Sequence, residues 1–213
     1  SEDIEPAWRA LGNVPLLLEG FVPFQREVSV LAARGRDGAT VFYPLVENHH
    51  RDGILRLSRA PLAAPELEGE GWDHARRLLE RLNYVGLLAI EFFVRDDRLI
   101  ANEMAPRVHN SGHWTIEGAT TSQFENHLRA ILGLPLGSTA ALGHSVMLNC
   151  IGAMPERAAV LAVPGAHYHA YGKAPLPGRK VGHLTLRAEH PDALQTSLDR
   201  LLPLVGLEAG EFG

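Results

Sequence analysis

The 213-residue sequence is poor in several features that would place it in a special class of protein. It has one cysteine, Cys150, so no internal disulfide can form, and this residue lies in an apolar run that predicts a buried thiol. No apolar run approaches the roughly 20 residues needed to span a bilayer. The first six residues do not resemble a secretory signal, because they lack a basic stretch followed by an apolar one. We therefore expect a cytoplasmic protein without membrane spans.

Positive charge is also scarce. The net charge of −5 gives no general attraction to nucleic acid, and no nucleic-acid partner is expected. Only two of the 20 basic residues are lysines, and both lie in one short stretch, as Lys173 and Lys180. With 46% hydrophobic and 21% charged residues, the composition is that of a folded protein with a substantial core.

The order of apolar patterns and turn signals predicts an α+β protein. Apolar or alternating segments predict strands at 15–22, 26–34, 54–60, 87–94, 98–105, 145–152, 167–171 and 181–187, with a hairpin over 26–45. Helical spacing predicts helices at 72–82, 122–132, 156–161 and 192–202. The Gly-, Ser- and Ala-rich stretch at 137–143 predicts a boundary between a larger unit, 1–140, and a small C-terminal unit, 141–213.

Two glutamates occupy unusual positions in the predicted hairpin of 87–105. Glu91 has only apolar neighbours in its strand, and Glu103 lies in the partner strand. With a two-residue turn Glu91 faces Asn102, whereas one extra turn or bulge residue places it opposite Glu103. Like charges across a sheet are destabilising, so a cation between them would resolve the arrangement, and oxygen ligands suit Mg²⁺. The alternative is that each glutamate pairs with a nearby arginine.

The segment APRVHNSGHWT, residues 105–115, follows the second strand and is dense in polar groups. An arginine fork suits a phosphate-like or carboxylate-like anion, and His and Asn side chains can donate to further oxygens. These groups are Arg107, His109, Asn110, Ser111 and His113. A zinc site at the two histidines is disfavoured, because the intervening Gly112 opposes a regular helix and no thiol is near. The segment therefore predicts an anion-binding site.

The stretches TVFYPLVENHHRDGILR, IEFFV, NEMAPRVHNSGHWT and PGRKVGHL resemble the 5-(carboxyamino)imidazole ribonucleotide synthase family of ATP-grasp enzymes. The resemblance extends from about residue 17 to residue 185. It implies an ATP-grasp antiparallel sheet with packed helices, followed by a small mixed α/β C-terminal domain. It also implies a homodimer that acts in purine biosynthesis. In the implied reaction, Mg-ATP phosphorylates bicarbonate to carboxyphosphate, and the amine of aminoimidazole ribonucleotide then captures the carboxyl unit.

The resemblance also implies roles for individual residues. The implied magnesium ligands are Glu91 and Glu103. The implied ATP-binding residues are Glu19, Gly20, Phe21, Val22, Glu27, His50, Asn102 and Glu103. The implied catalytic residues, which would hold bicarbonate and carboxyphosphate, are Arg107, His109 and Asn110. The residues implied to receive the phosphate of the ribonucleotide are Lys173, Arg179 and Lys180.

The family resembled here is longer than this sequence at its N-terminus. No glycine-rich phosphate loop occurs in residues 1–213. We therefore expect the sequence to be incomplete at its N-terminus and to have little or no ligase activity by itself. Two alternatives remain open: an ATP-grasp ligase with a different acceptor, and a nucleotide-binding or dimerisation fragment without catalysis. Magnesium-dependent ADP binding without phosphate release would favour the second alternative.

Overall fold

A computed structural model of the chain describes residues 3–208 and residue 210. The strands of this part are β1 (Arg26–Arg34), β2 (Thr40–Phe42), β3 (Val46–Arg51), β4 (Ile54–Ala60), β5 (Gly86–Arg95), β6 (Arg98–Ala105), β7 (His144–Ile151), β8 (Ala166–Ala170) and β9 (Lys180–Ala188). Its α-helices are α1 (Ile4–Ala10), α2 (Pro65–Arg81), α3 (Thr115–Gly118), α4 (Gln123–Leu132), α5 (Arg157–Leu161) and α6 (Pro191–Leu201).

All nine strands belong to one antiparallel sheet. Its order is β6-β5-β1-β3-β4-β7-β9-β8, and the short β2 pairs with β1 beside this path. Helices pack against the sheet, and the predicted α+β class is confirmed. The pairing of β4 with β7 joins the first six strands to the last three, so the sheet runs without a break across residue 140. The division into units 1–140 and 141–213 remains a prediction.

The core follows from apolar helix faces packed on the sheet. In α2, Ala75 and Leu79 are fully buried and belong to one cluster with residues of β1 and β5. A Cβ atom added to Gly71 in the same helix would lie 2.6 Å from a methyl carbon of Val30, so the absence of a side chain allows α2 to approach β1 closely. A second cluster packs Leu198 and its neighbours in α6 against β7 and β9.

Most predicted elements are confirmed within one or two residues, but two differ, and three elements of the described chain, α1, α3 and β3, were not predicted. The helix predicted at 72–82 begins earlier, at Pro65, and ends at Arg81. Strand β3 was not predicted, because its sequence, VENHHR, is polar. The strand predicted at 15–22 is wrong: this segment has no regular secondary structure, and Leu17 and Phe21 are 83% and 88% exposed. Within the described residues no strand pairs with this segment, so its apolar composition alone does not make it a strand.

The predicted buried thiol is confirmed. Cys150 lies in β7, is 1% exposed, and burial raises its pKa to about 12. Across residues 3–208 and 210, no helix combines the length and the apolar character that a membrane crossing requires.

Asn126 of α4 links three parts of the fold through a buried amide. Its side chain donates to the Tyr43 hydroxyl at 2.8 Å and to the Gly137 carbonyl at 3.1 Å, and it accepts from the Gly137 N–H at 2.7 Å. Asn126→Ala removes the side-chain partner of the Gly137 N–H and carbonyl and one of the two partners of the Tyr43 hydroxyl, and is expected to lower the free energy of unfolding by about 2 kcal/mol, measured by denaturant titration. Leu128→Ala is a control on the same helix, since Leu128 is 55% exposed. An equal loss in both variants would contradict the prediction.

Candidate functional site

A polar cavity of about 370 Å³ opens beside the sheet where β1, β3, β5, β6 and β9 supply side chains. It is lined by Glu27, His50, Gly53, Leu55, Glu91, Asn102, Glu103, His109, Asn110 and Lys180. Eight of these ten residues were predicted from the sequence as site residues. Residues as distant along the chain as Glu27 and Lys180 therefore meet at one place.

The β5–β6 hairpin decides which residue faces Glu91. Its turn has two residues, Asp96 and Asp97, whose φ angles of 51° and 55° fit the hairpin turn that requires left-handed backbone. A register shift between Glu91 and Phe92 then adds one residue and pairs Glu91 with Glu103. The bulge alternative is therefore confirmed, and the structure places the two carboxylates on opposing strands.

Negative charge accumulates around Glu91. Burial raises the pKa of Glu91, and the carboxylates of Glu103 and Glu27 raise it further, while His50 and Lys180 act in the opposite direction. Glu27 is itself held in place, since its Oε2 lies 2.8 Å from His50 Nδ1. Three carboxylates that face one small cavity favour a bound cation, because a cation would offset both their repulsion and their desolvation.

The donor set of the cavity fits a divalent cation. Ligand atoms of Glu91, Glu103 and His109 all lie within 4.8 Å of one another. The two carboxylates, together with the amide of the neighbouring Asn102, offer the oxygen ligands that Mg²⁺ prefers. Because Mg²⁺ commonly keeps several waters and shares its remaining positions with phosphate groups, two protein carboxylates are sufficient to hold it.

Hydrogen-bond donors also line the cavity. The Lys180 ammonium donates to Asn110 Oδ1 at 2.9 Å, and burial lowers the Lys180 pKa while Glu91 acts to raise it. Asn110 and Asn149 exchange two hydrogen bonds, of 3.0 and 2.7 Å, which fix the Asn110 amide. Burial, with a contribution from Arg107, lowers the pKa of His109 to about 4, so its ring is neutral near pH 7. The cavity thus contains an ammonium, an amide and a neutral imidazole beside the carboxylates.

The backbone of the polar segment after β6 is held by Gln123, the first residue of α4. The amide oxygen of Gln123 accepts from the His109 N–H at 2.9 Å, and its nitrogen donates to the His109 carbonyl at 2.7 Å. Gly112 permits this packing, because a Cβ atom there would lie 2.6 Å from the Gln123 amide oxygen. Gln123 is fully buried, so water does not compete for these bonds.

The structure does not bring every predicted site residue to the cavity lining. The implied ATP-binding residues Glu19, Gly20, Phe21 and Val22 lie in the exposed segment between α1 and β1. Arg107 is exposed and donates to the Val108 carbonyl at 3.1 Å. The Lys173 ammonium lies 5.3 Å from the centre of the Tyr171 ring, and Arg179 is exposed just before β9. Their implied roles remain predictions.

Several buried polar residues around the cavity were not singled out from the sequence. They are Ser29, Asn48, Ser58, Gln123 and Asn149, and none of them is more than 3% exposed. One signal was available for Ser29, which is a polar residue at a buried position of the strand REVSVLAAR. The partners of these residues lie far away along the chain, so sequence spacing does not reveal what they bind.

Comparison with known proteins gives consistent results. The family model of the ATP-grasp domain matches residues 1–124, and that of the phosphoribosylaminoimidazole carboxylase C-terminal domain matches residues 145–197. The chain is 58% identical over 203 residues to N5-carboxyaminoimidazole ribonucleotide synthase of Pseudomonas aeruginosa, covering 95% of this chain and 56% of that protein.

Solved structures agree with the sequence comparison. A crystal structure of N5-carboxyaminoimidazole ribonucleotide synthetase from Thermus thermophilus matches with a TM-score of 0.94 and 60% identity, covering 99% of this chain and 59% of that one. The Aspergillus clavatus synthase in complex with ADP and 5-aminoimidazole ribonucleotide matches with a TM-score of 0.87 and 35% identity, covering 96% and 58%. The chain thus spans a little over half the length of these relatives. Because the ATP-grasp model matches more than half of its residues, the chain belongs to the ATP-grasp family.

Proposed function

We propose that the full-length protein containing this chain uses ATP and bicarbonate to carboxylate aminoimidazole ribonucleotide, giving 5-(carboxyamino)imidazole ribonucleotide, ADP and phosphate. The observation that carries the proposal is the convergence of Glu91, Glu103, His109, Asn110 and Lys180 on one cavity. The P. aeruginosa relative, at 58% identity, bears the name of this activity, and an A. clavatus relative was crystallised with ADP and the ribonucleotide.

The carboxylates of the cavity suit a bound cation, and its donors suit the anionic groups of this reaction. Glu91 and Glu103 would hold Mg²⁺, which when bound shields the phosphate charge of ATP. The donors Lys180, Asn110 and His109 would hold bicarbonate and the carboxyphosphate formed from it, since donors aimed at developing negative charge lower the barrier. Glu27 and His50 would contact the ribose and nucleotide.

Further parts of the proposal rest on the resemblance. The segment containing Glu19, Gly20, Phe21 and Val22 would contact adenine. Arg107 would join the bicarbonate group, and Lys173, Arg179 and Lys180 would hold the ribonucleotide phosphate. The full-length protein would be a cytoplasmic homodimer, and the 213-residue chain alone would have little or no ligase activity. The boundary near residue 140 would separate the ATP-grasp part from a C-terminal unit that helps to bind the ribonucleotide.

The proposal predicts that aminoimidazole ribonucleotide stimulates phosphate release. The measurement is phosphate release by the full-length protein with Mg-ATP and bicarbonate, with and without the ribonucleotide. Stimulation that also requires bicarbonate is expected. ADP binding without any stimulation would contradict the proposed acceptor and leave an ATP-grasp enzyme with another one. The isolated chain serves as the comparison, and full turnover by it would contradict the expected inactivity.

A further inference from the structure

The ring of His109 has a defined hydrogen-bonding direction. Its Nδ1 accepts from the backbone N–H of Ser111 at 3.3 Å and lies 2.9 Å from Ser111 Oγ. A backbone N–H can only donate, so Nδ1 carries a lone pair and no hydrogen. The single hydrogen of a neutral imidazole must then be on Nε2. We infer that His109 is held in the Nε2–H form as a hydrogen-bond donor to the cavity, and that Ser111 and Ser29 are the positioning residues that fix this form.

A row of buried, hydrogen-bonded side chains leads away from His109, and the donors in this row point toward its ring. Because Ser111 Oγ has one hydrogen and donates it to Nδ1, it must accept from Ser29 Oγ, which lies 2.8 Å away. Ser29 in turn accepts from the Asn48 amide nitrogen at 3.0 Å. The Asn48 amide oxygen accepts from Ser58 Oγ at 2.7 Å. With the Asn48 amide oriented so that its nitrogen faces Ser29 and its oxygen faces Ser58, a hydrogen on His109 Nδ1 would face the Ser111 N–H and would leave the Ser29 hydroxyl without an acceptor in this row.

Burial makes this orientation stable. The exposed fraction is zero for Ser29, Ser58 and Ser111 and 3% for Asn48. Water therefore cannot replace a lost partner, and a mismatched donor or acceptor would be costly. Asn48 faces Ser58 across the β3–β4 pair, so the row begins in regular sheet and does not depend on a mobile loop.

The inferred form determines what His109 can do. Its Nε2 lies 3.5 Å from Glu91 Oε1, near enough for His109 to complete a three-residue metal site with Glu91 and Glu103. A nitrogen that bears hydrogen has no free lone pair, however, and a metal-binding histidine usually donates from its other ring nitrogen, whereas Nδ1 here accepts. His109 is therefore neither a metal ligand nor a proton acceptor through Nε2. Its N–H lies 3.5 Å from Glu91 Oε1 and is available as a donor to an anion bound in the cavity; that this anion is the bicarbonate-derived group rests on the proposed function.

Nitrogen NMR of the full-length protein tests the inferred form directly. In ¹⁵N-labelled protein near neutral pH, His109 Nε2 is expected to show a directly bonded hydrogen and Nδ1 the shift of an unprotonated ring nitrogen. His109→Gln identifies the signals by their loss. Adding Mg-ADP should leave the Nε2 hydrogen in place. A hydrogen on Nδ1, or loss of the Nε2 hydrogen when magnesium is added, would overturn the inference.

Variants test the positioning residues. Ser111→Ala keeps the backbone N–H but removes the hydroxyl, so the ratio of the Nε2–H to the Nδ1–H form is expected to fall about fivefold, as does kcat, with KM for ATP unchanged. Ser29→Ala should act in the same direction. Ser145→Ala is the matched control, because Ser145 is also fully buried but its hydroxyl has no hydrogen-bond partner among residues 3–208 and 210.

The outcomes separate this inference from the proposed function. Unchanged His109 signals in Ser111→Ala, or equal effects in Ser145→Ala, would overturn the positioning role. If the unmodified protein shows the expected His109 signals but no ribonucleotide-stimulated phosphate release, the proposed function fails and the inferred form of His109 stands.

Discussion

Glu103→Gln in the full-length protein is expected to lower magnesium-dependent phosphate release by about a thousandfold, or ~4 kcal/mol in the barrier. The substitution keeps the volume of the side chain and removes its charge. Glu103 is exposed and pairs with Glu91 across β5–β6, so the fold does not depend on its charge. Loss of one of two carboxylates should also raise the magnesium concentration at half-maximal rate.

The control for Glu103→Gln is Glu125→Gln. Glu125 is an exposed glutamate of α4 that pairs with Arg129 within the same helix, and it has no place in the cavity. Its replacement should leave both the rate and the magnesium dependence unchanged. An unaltered magnesium dependence in Glu103→Gln would remove Glu103 from the metal site.

Lys180→Met is expected to lower kcat by about a hundredfold, the loss typical when one donor to a developing negative charge is removed. Methionine keeps much of the aliphatic length but loses the ammonium that donates to Asn110 at 2.9 Å. KM for the ribonucleotide should rise more than KM for ATP, because Lys180, with Lys173 and Arg179, is proposed to receive the ribonucleotide phosphate. Steady-state kinetics with each substrate varied in turn would measure the three parameters.

Arg200→Met is the control for Lys180→Met, since it removes an exposed cation from α6, where Arg200 donates to the Ala162 carbonyl. It should leave all kinetic parameters unchanged. Equal rises in KM for the ribonucleotide and for ATP in Lys180→Met, with a lower free energy of unfolding, would show that Lys180 acts through folding rather than through substrate binding.

Patterns among neighbouring residues predicted the elements whose ends are set by short-range contacts. Ser122 caps α4 by accepting from the Glu125 N–H, and Gly133 ends the helix with a φ of 72°, so both ends are encoded in adjacent residues. The turn at Asp96 and Asp97 is likewise local. The bulge that pairs Glu91 with Glu103 could not be predicted from neighbouring residues, because the hydrophobic pattern of the two strands allowed two registers.

Other features depend on partners that lie far away in the sequence. The apolar segment at 15–22 has the composition of a strand, but a strand also requires a paired neighbour. The site was predicted from clustered polar residues and from the family resemblance, which together gave eight of the cavity residues. Ser29 was missed because its partners, Asn48 and Ser111, become neighbours only when the sheet forms.

The continuous sheet has a mechanical consequence for the cavity. Strands β5 and β6 carry Glu91 and Glu103 and β9 carries Lys180, and strand pairing through β1, β3, β4 and β7 connects them within one sheet. Changing the gap between the opposing charges would require distortion of several ladders of hydrogen bonds at once. The spacing between these carboxylates and the Lys180 ammonium is therefore set by the sheet, and a group that binds between them must fit that spacing.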